Sequence, residues 1–478
     1  MNGLAGADLD LRLVETHSAV LLFAGDRVYK VKKAVDLGFL DHRERTARQA
    51  ACEEEVRLNR RLAPDVYLGV ADVTGPDGAA CDHMVVMRRM PEERRLTTCI
   101  SRREDVDDAL RGIARAVAAL HAVGPVVGRR RQQLASRSAL GRSWRDSFAS
   151  LAASGIASDD ARRVEELVEG YLAGRAEMFA QRIAEGWVRD GHGDLMGDDI
   201  FLLPDGPRIL DCLEFDERYR IADVVTDVAF LAMDLERLGR PDLARRFLAL
   251  YREMSGATWP PTLAEHMVAY RAHVRAKVRA LSGSQVLGGG HAEVGDLLAM
   301  ARQHLERGQV RLVVVGGLPG TGKSTIADAV ADPLDALVLR SDEVRSRVPA
   351  GRGVDRYAPT NVRAVYDELL AEAQRLLGLG HHVVLDATWS DARARDDVRA
   401  AAAATSSSLV ELVCEAPDDV AAQRITVRGR VGAHGSEATP AVAEAMADRF
   451  APWPEAVPLD TTRPVDVSVA DALSALRW

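Results

Sequence analysis

Apolar and polar positions set the first divisions of the chain. Ala19-Val20-Leu21-Leu22-Phe23 and Val28-Tyr29-Lys30-Val31-Lys32 flank Ala24-Gly25-Asp26, which predicts a β-hairpin over 14–31. In its second strand Val28, Lys30 and Lys32 fall on one face, because side chains alternate. Residues 43–62 read as a helix, with Glu53, Glu54 and Glu55 in its middle and Val56, Leu58 and Leu62 after them. A second hairpin pairs 66–73 with 84–87 across Gly75-Pro76-Asp77-Gly78. Helices are expected over 105–123 and 158–186. Two short apolar strands then turn at Pro204-Asp205-Gly206-Pro207, and helices run from 224 to about 305.

The pattern changes near residue 308. Five strand candidates, at 312–315, 336–340, 382–386, 408–414 and 466–469, alternate with helices. That order predicts a doubly wound parallel sheet with its ligand at the C-terminal edge of the strands. Two domains are therefore expected, over 1–305 and 308–478.

Composition narrows the class. The chain has 478 residues, 47% hydrophobic and 28% charged, with a net charge of -9. Residues 311–478 hold 18 basic and 24 acidic side chains. This balance argues against a polynucleotide partner or an anionic membrane surface. No apolar run is long enough to span a bilayer, and the first residues lack the basic and apolar segments of a signal peptide. The five cysteines form no C-x-x-C pair or zinc spacing, so reduced thiols and a cytoplasmic protein are expected. Lysine occurs only at 30, 32, 33, 277 and 323, against 62 basic residues in all. Arginine and lysine are not interchangeable, so the few lysines point to places where an ammonium is needed.

Lys323 lies in the densest motif. Gly317-Leu318-Pro319-Gly320-Thr321-Gly322-Lys323-Ser324 reads G-x-x-x-x-G-K-S, between an apolar strand and a helix that continues through Thr325. Gly317, Gly320 and Gly322 let the backbone curl so that amides of the loop, Thr321 among them, face phosphate oxygens. The helix N-terminus adds partial positive charge there. Lys323 would reach the β- and γ-phosphates, and Ser324 would hold Mg²⁺. Asp386 ends an apolar strand and suits a second contact to that ion. Asp342 and Arg345 follow the second strand, and Arg424, Arg428 and Arg430 follow the fourth.

A second dense stretch is Gly191-His192-Gly193-Asp194-Leu195-Met196-Gly197-Asp198-Asp199. It precedes a short hairpin that returns to Asp211. Carboxylates gathered at strand ends suit a Mg²⁺–triphosphate site, since hard cations take oxygen ligands. Arg271, Arg275 and Arg279 stack at i, i+4 on a helix that also carries Lys277. That stripe reads either as a solvated face or as a contact to an anionic substrate or a neighbouring domain.

His192-Gly193-Asp194-Leu195 followed by Asp211 resembles the aminoglycoside phosphotransferase family, which shares the protein-kinase-like fold. The resemblance implies a two-lobed N-terminal domain in which Asp194 orients or deprotonates an acceptor hydroxyl and Asp199 and Asp211 hold Mg²⁺. It further implies that Lys30 pairs the ATP phosphates and Glu55 holds that lysine, with Lys32 and Glu54 as alternatives. Residues 84–90 would be the hinge beside adenine. Met196 departs from the family's second His, and Asp199 from its Asn.

Residues 311–478 resemble the small P-loop kinases, such as gluconate kinase, zeta toxins and the polynucleotide 5′-kinase domain. This resemblance implies that Asp342 is a general base, that Arg345 positions the acceptor, and that Arg424 or Arg428 neutralises the transferring phosphate. Together the two resemblances imply an ATP- and Mg²⁺-dependent phosphotransferase acting on a hydroxyl of a small polar metabolite. An ATP-gated switch with a degenerate first domain and a zeta-like nucleotide-sugar kinase are the alternatives.

Overall fold

The computed structural model describes residues 11–16, 18–36, 40–124, 127–283, 290–347, 359–431 and 439–476. The chain divides into two compact units. The first comprises 1–156, 181–259 and 267–301, and the second 157–180, 260–266 and 302–478.

The first unit opens with strands β1 (Leu11–Glu15), β2 (Ala19–Ala24) and β3 (Arg27–Lys32). Gly25 turns β2 into β3 with φ 58°, in the left-handed region that glycine enters at no steric cost. β4 (Tyr67–Thr74) and β5 (Ala80–Arg88) complete an antiparallel sheet in the order β1-β2-β3-β5-β4. The helix Arg45–Asn59 buries Cys52, Glu55 and Val56. Cys52 and Val56 pack with Tyr67, Val85 and Met90 in one cluster. Lys32 is only 4% exposed, so the Val28–Lys30–Lys32 face looks inward and is not a solvated surface.

The catalytic-type stretch sits on two small ladders. β6 (Val188–Asp190) pairs with β9 (Ile221–Asp223), and β7 (Ile200–Leu203) pairs with β8 (Gly206–Ile209), all antiparallel. The helix Val224–Arg237 follows β9 and is buried along nearly its whole length. This two-lobed arrangement is the protein-kinase-like fold.

The second unit is a five-stranded, wholly parallel sheet. Its strands are β10 (Arg311–Gly316), β11 (Leu337–Arg340), β12 (Val383–Asp386), β13 (Ser408–Glu415) and β14 (Val457–Asp460). The order is β11-β12-β10-β13-β14, with the P-loop strand in the centre. Four of the five expected strands are present. The fifth is displaced, since 466–469 lies in the helix Val465–Ala475 and the edge strand is Val457–Asp460. Pro458 disguises that strand in the sequence, but an edge strand tolerates a residue without an amide proton.

The single helix expected over 158–186 is two, Asp159–Ala173 and Ala176–Ala184. The break has a physical cause. A Cβ on Gly174 would stand 2.0 Å from the Thr405 carbonyl oxygen, so only glycine allows that approach. Arg175 beside it is fully buried and donates to the carbonyls of Gly174 (2.8 Å), Leu377 (2.7 Å) and Thr405 (2.9 Å). Burial pushes its guanidinium down to about 10, against the opposing influence of Tyr171. Arg175 thus staples an early segment of the chain to the P-loop unit. Arg175→Leu should strand these carbonyls and cost about 1–3 kcal/mol, read as a lower urea midpoint. An unchanged midpoint would mean that water replaces the guanidinium.

Candidate functional site

In the first unit, β3 and the helix Arg45–Asn59 bring three charges together. Lys30 Nζ stands 2.8 Å from Glu55 Oε1 and 2.8 Å from Asp211 Oδ1. Lys32 Nζ donates to the other Glu55 oxygen at 2.7 Å and also pairs with Glu214. The sequence left Lys30 and Lys32 as alternatives, and both engage the same carboxylate. Glu54 instead pairs with Arg57. Burial works against the Lys30 ammonium, but Asp211 and then Glu55 more than offset it and hold it well above its ordinary value. Lys30 in turn lowers the Asp211 carboxyl. Asp211 has φ 61°, unusual for a non-glycine residue, and its amide donates to Tyr67 Oη at 3.1 Å.

The Gly191–Asp199 loop is held from its core side. The amides of His192 and Gly193 donate to Asp227 Oδ2 and Oδ1 at 2.7 and 2.8 Å. His121 Nε2 lies 3.0 Å from Asp227 Oδ2, and its Nδ1 lies 2.7 Å from Tyr251 Oη. Burial disfavours the Asp227 carboxylate, but His121 and His192 outweigh burial and keep it well below the ordinary range. A Cβ on Gly191 would come within 2.4 Å of Asp227 Oδ2, so the glycine leaves room for the carboxylate. Further along, the Gly197 amide donates to Asp234 Oδ2 at 2.9 Å. Met196 is buried, where the family motif carries a second His.

This scaffold presents Asp194, Asp199 and Asp211 to one another. Burial pushes the Asp194 carboxyl up to about 6, with Arg275 opposing and Asp211 reinforcing. Burial, then Asp211 and Asp194, raise Asp199 well above the ordinary value. Among the described residues no three carboxylate, histidine or cysteine side chains stand close enough to close on one ion. Mg²⁺ does not need them, since it binds through one or two carboxylates plus phosphate oxygens and water. The mutual repulsion of Asp199 and Asp211 is what a divalent cation relieves, so the pair fits that ion.

In the second unit, the loop after β10 turns through Gly317, Gly320 and Gly322 with φ of 131°, 86° and 87°. A Cβ at Gly317 or Gly320 would lie 2.4 Å from the Cys414 carbonyl or 2.5 Å from that of Ala421. The backbone is therefore free to curl around a phosphate only as glycine. Thr321 Oγ1 and Lys323 Nζ both donate to the Leu318 carbonyl, at 2.8 and 2.9 Å. The helix Lys323–Leu334 starts where the loop ends, so Ser324 and Thr325 occupy its first turn. The Ser324 hydroxyl bonds Asp386 at the end of β12, and burial raises that carboxyl despite Ser324, Lys323 and Arg340. A hydroxyl beside a buried carboxylate, at the mouth of a phosphate loop, fits a magnesium ion with its waters.

Asp342 and Arg345 pair with each other at 2.6 Å within the helix Ser341–Arg347. Arg424 is engaged elsewhere. Its Nη2 donates to the Thr461 carbonyl at 2.7 Å, and Thr461 Oγ1 donates to the Thr321 carbonyl at 2.7 Å. Arg424 thereby braces the P-loop through Thr461. The Arg428 side chain lies outside the described residues. Trp389, fully buried at φ 56°, donates its amide to Tyr366 Oη at 3.1 Å.

Sequence reasoning missed Asp227, Asp234, His121, Tyr251 and Thr461. The one available signal was a pair of acids, Asp227 and Asp234, inside the otherwise apolar run from Val224 to Leu235.

The chain matches the phosphotransferase enzyme family over residues 24–264, half of its length. Residues 312–453 match a family described as an AAA domain. An uncharacterized protein of Mycobacterium tuberculosis is 42% identical over 97% of this chain and 94% of its own. Among solved structures, a choline kinase from Cryptosporidium parvum aligns at a TM-score of 0.42 and 10% identity, over 63% of this chain and 90% of its own. A sugar kinase from Janibacter aligns at 0.29 and 20% identity, over 35% of this chain and 94% of its own. The assignment rests on the first match, which spans the Lys30–Glu55–Asp211 pairs and the Gly191–Asp199 loop: the chain is a kinase and belongs to the phosphotransferase enzyme family.

Proposed function

We propose that this kinase transfers the γ-phosphoryl group of ATP to a hydroxyl of a small polar metabolite, with Mg²⁺, at two sites. One lies in a domain over 1–305 and the other in a domain over 308–478, the latter joined in its compact unit by 157–180 and 260–266. The observation that supports the reading is that each unit gathers candidate parts of a phosphotransfer site. Lys30, Asp194, Asp199 and Asp211 form the first set. Lys323, Ser324, Asp386, Asp342 and Arg345 form the second.

In the first site Asp194 takes the proton of the acceptor hydroxyl as its oxygen bonds to the γ-phosphorus and the bond to ADP breaks. Lys30, held by Glu55, would meet the ATP phosphates, and Asp199 and Asp211 would hold Mg²⁺. Asp342 takes the same part in the second site, with Arg345 orienting the acceptor. The ion itself neutralises charge on the transferring group when bound. The five cysteines are free thiols, and no described helix is long and apolar enough to cross a membrane. Both observations support placing the reaction in the cytoplasm. Met196 and the crowded Asp199 favour a second reading, in which the first site binds ATP only to regulate the other.

Lys323→Ala and Asp194→Ala should each abolish phosphorylation of a different acceptor, by at least about 100-fold, when ATP consumption is followed over a panel of sugars, sugar acids and nucleosides. If Asp194→Ala changes no acceptor's rate, the regulatory reading holds for the first site.

The raised Asp194 carboxyl gives a pH signature. A base must be ionised, so kcat/KM at the first site should fall as pH drops below about 6. Its folded value near 6 lies above the ordinary 3.8, so the folded chain holds that proton more tightly than the unfolded one. This group's contribution to stability is therefore present below pH 3.8 and lost as pH rises through about 6. Asp194→Asn should raise Tm at pH 8 while removing turnover. A lower Tm in that variant would show that the carboxylate is stabilising.

A further inference from the structure

The first unit holds a cavity of about 530 Å³ that shares no lining residue with the groups assigned to phosphoryl transfer. Such a volume suits a small metabolite. Thr97, Ile100, Ser101 and Arg103 line it from the helix Leu96–Ser101 and the turn after that helix. Leu238, Gly239 and Arg240 line it from the end of the helix Val224–Arg237. Ile100 is buried at the floor, while Ser101, Arg103 and Gly239 are exposed at the mouth. Two hydroxyls and two guanidiniums thus surround an apolar floor, and no carboxylate lines the space.

The two helices end in the same turn. Past the first, the amides of Arg103 and Glu104 donate to the carbonyls of Ile100 and Cys99 at 2.9 and 3.0 Å. Past the second, the amides of Gly239 and Arg240 donate to the carbonyls of Glu236 and Leu235 at 2.8 and 2.9 Å. This turn needs one residue in the left-handed region, which glycine enters without steric cost. The second helix uses Gly239, at φ 76°, whereas the first uses Arg103, at φ 58°. A side chain there strains the backbone, so the fold alone favours glycine at both places. Nor do the helix ends call for the guanidinium, because amides already take those four carbonyls. The Arg103 side chain forms no hydrogen bond or ion pair among the described residues. Arg240 is held by Asp242, which takes Nε at 2.9 Å and Nη2 at 2.6 Å and leaves Nη1 without an acceptor among the described residues.

Both walls of the cavity also hold the acidic loop. Thr97 Oγ1 donates to Asp198 Oδ1 at 2.7 Å, and Asp234 of the second helix takes the Gly197 amide at 2.9 Å. The cavity is therefore one hydrogen bond away from Asp198. We propose that it binds a small metabolite bearing a phosphate or carboxylate group, with Arg103 and Arg240 gripping the anion and Ile100 and Leu238 packing on its carbon skeleton. A planar guanidinium offers paired donors to either anion, and a wall without carboxylates repels neither. The proposal does not depend on which groups carry out phosphoryl transfer.

Calorimetry on the full-length chain, with Mg²⁺ and an excess of a non-hydrolysable ATP analogue to occupy the phosphate loop, tests this. The probes are glucose 6-phosphate, gluconate and glucose, and the tighter of the first two names the anion. At least one of those two should bind, and Arg103→Gly should weaken it by at least about tenfold, the loss expected for one charge-assisted contact. Arg102→Ala, beside it but outside the cavity, should leave the affinity unchanged. Because glycine suits φ 58°, Arg103→Gly should melt at or above the parent Tm, which separates a lost ligand contact from a lost fold. The proposal falls if neither anionic probe binds, if Arg103→Gly binds as tightly as the parent, or if glucose binds as tightly as the anions. It falls equally if more of the ATP analogue displaces the anion, which would assign the cavity to the nucleotide, or if Arg103→Gly melts lower, which would make Arg103 a support of its turn.

Discussion

A carboxylate removed from water stays charged only if donors surround it, and Asp227 is surrounded. It takes two loop amides and a histidine, and that histidine is itself oriented by Tyr251. Asp234 lies seven residues further along the same helix, on the same face, and takes the Gly197 amide. The loop carrying Asp194 is therefore strung between two buried acids of one helix. Its geometry is held from the core side by these two carboxylates.

The lysine cluster obeys a different balance. Lys30 and Lys32 face Glu55, Asp211 and Glu214, two cations against three anions. Glu55 is wholly buried and is satisfied by both ammoniums. Asp211 sits at the edge of the cluster, where it is shared between a lysine and the place a metal would take. The surplus negative charge is thus located at a residue that would also hold the metal.

What the sequence disclosed was local. The P-loop needs eight contiguous residues, and its glycines answer to backbone approach that any folded copy of the motif must meet. The Gly191–Asp199 stretch is similarly compact, as is the alternation that put Lys30 and Lys32 on one face. The supports were not legible, because they act through another residue's backbone. Asp227 lies 35 residues from His192, and Thr461 lies 140 from Thr321. Neither leaves a pattern near the atom it holds. The displaced fifth strand has the opposite cause. Val465, Val467 and Val469 alternate as a strand would, while the real edge strand contains a proline that alternation rules penalise.

The staple at Arg175 bears on how the chain is made. The backbone passes between the two compact units five times before its last long run. Residues 157–180 leave the ribosome well before Leu377 and Thr405, whose carbonyls Arg175 binds. The first unit can close its sheet and its loop supports early, but it must do so around a loose excursion that waits for later partners. The two compact units are therefore not segments that a single crossover near residue 308 separates. The P-loop unit is completed by two earlier excursions of the chain: Arg175 in 157–180 occupies the carbonyls of Leu377 and Thr405, and Thr262 in 260–266 donates to that of Gly380.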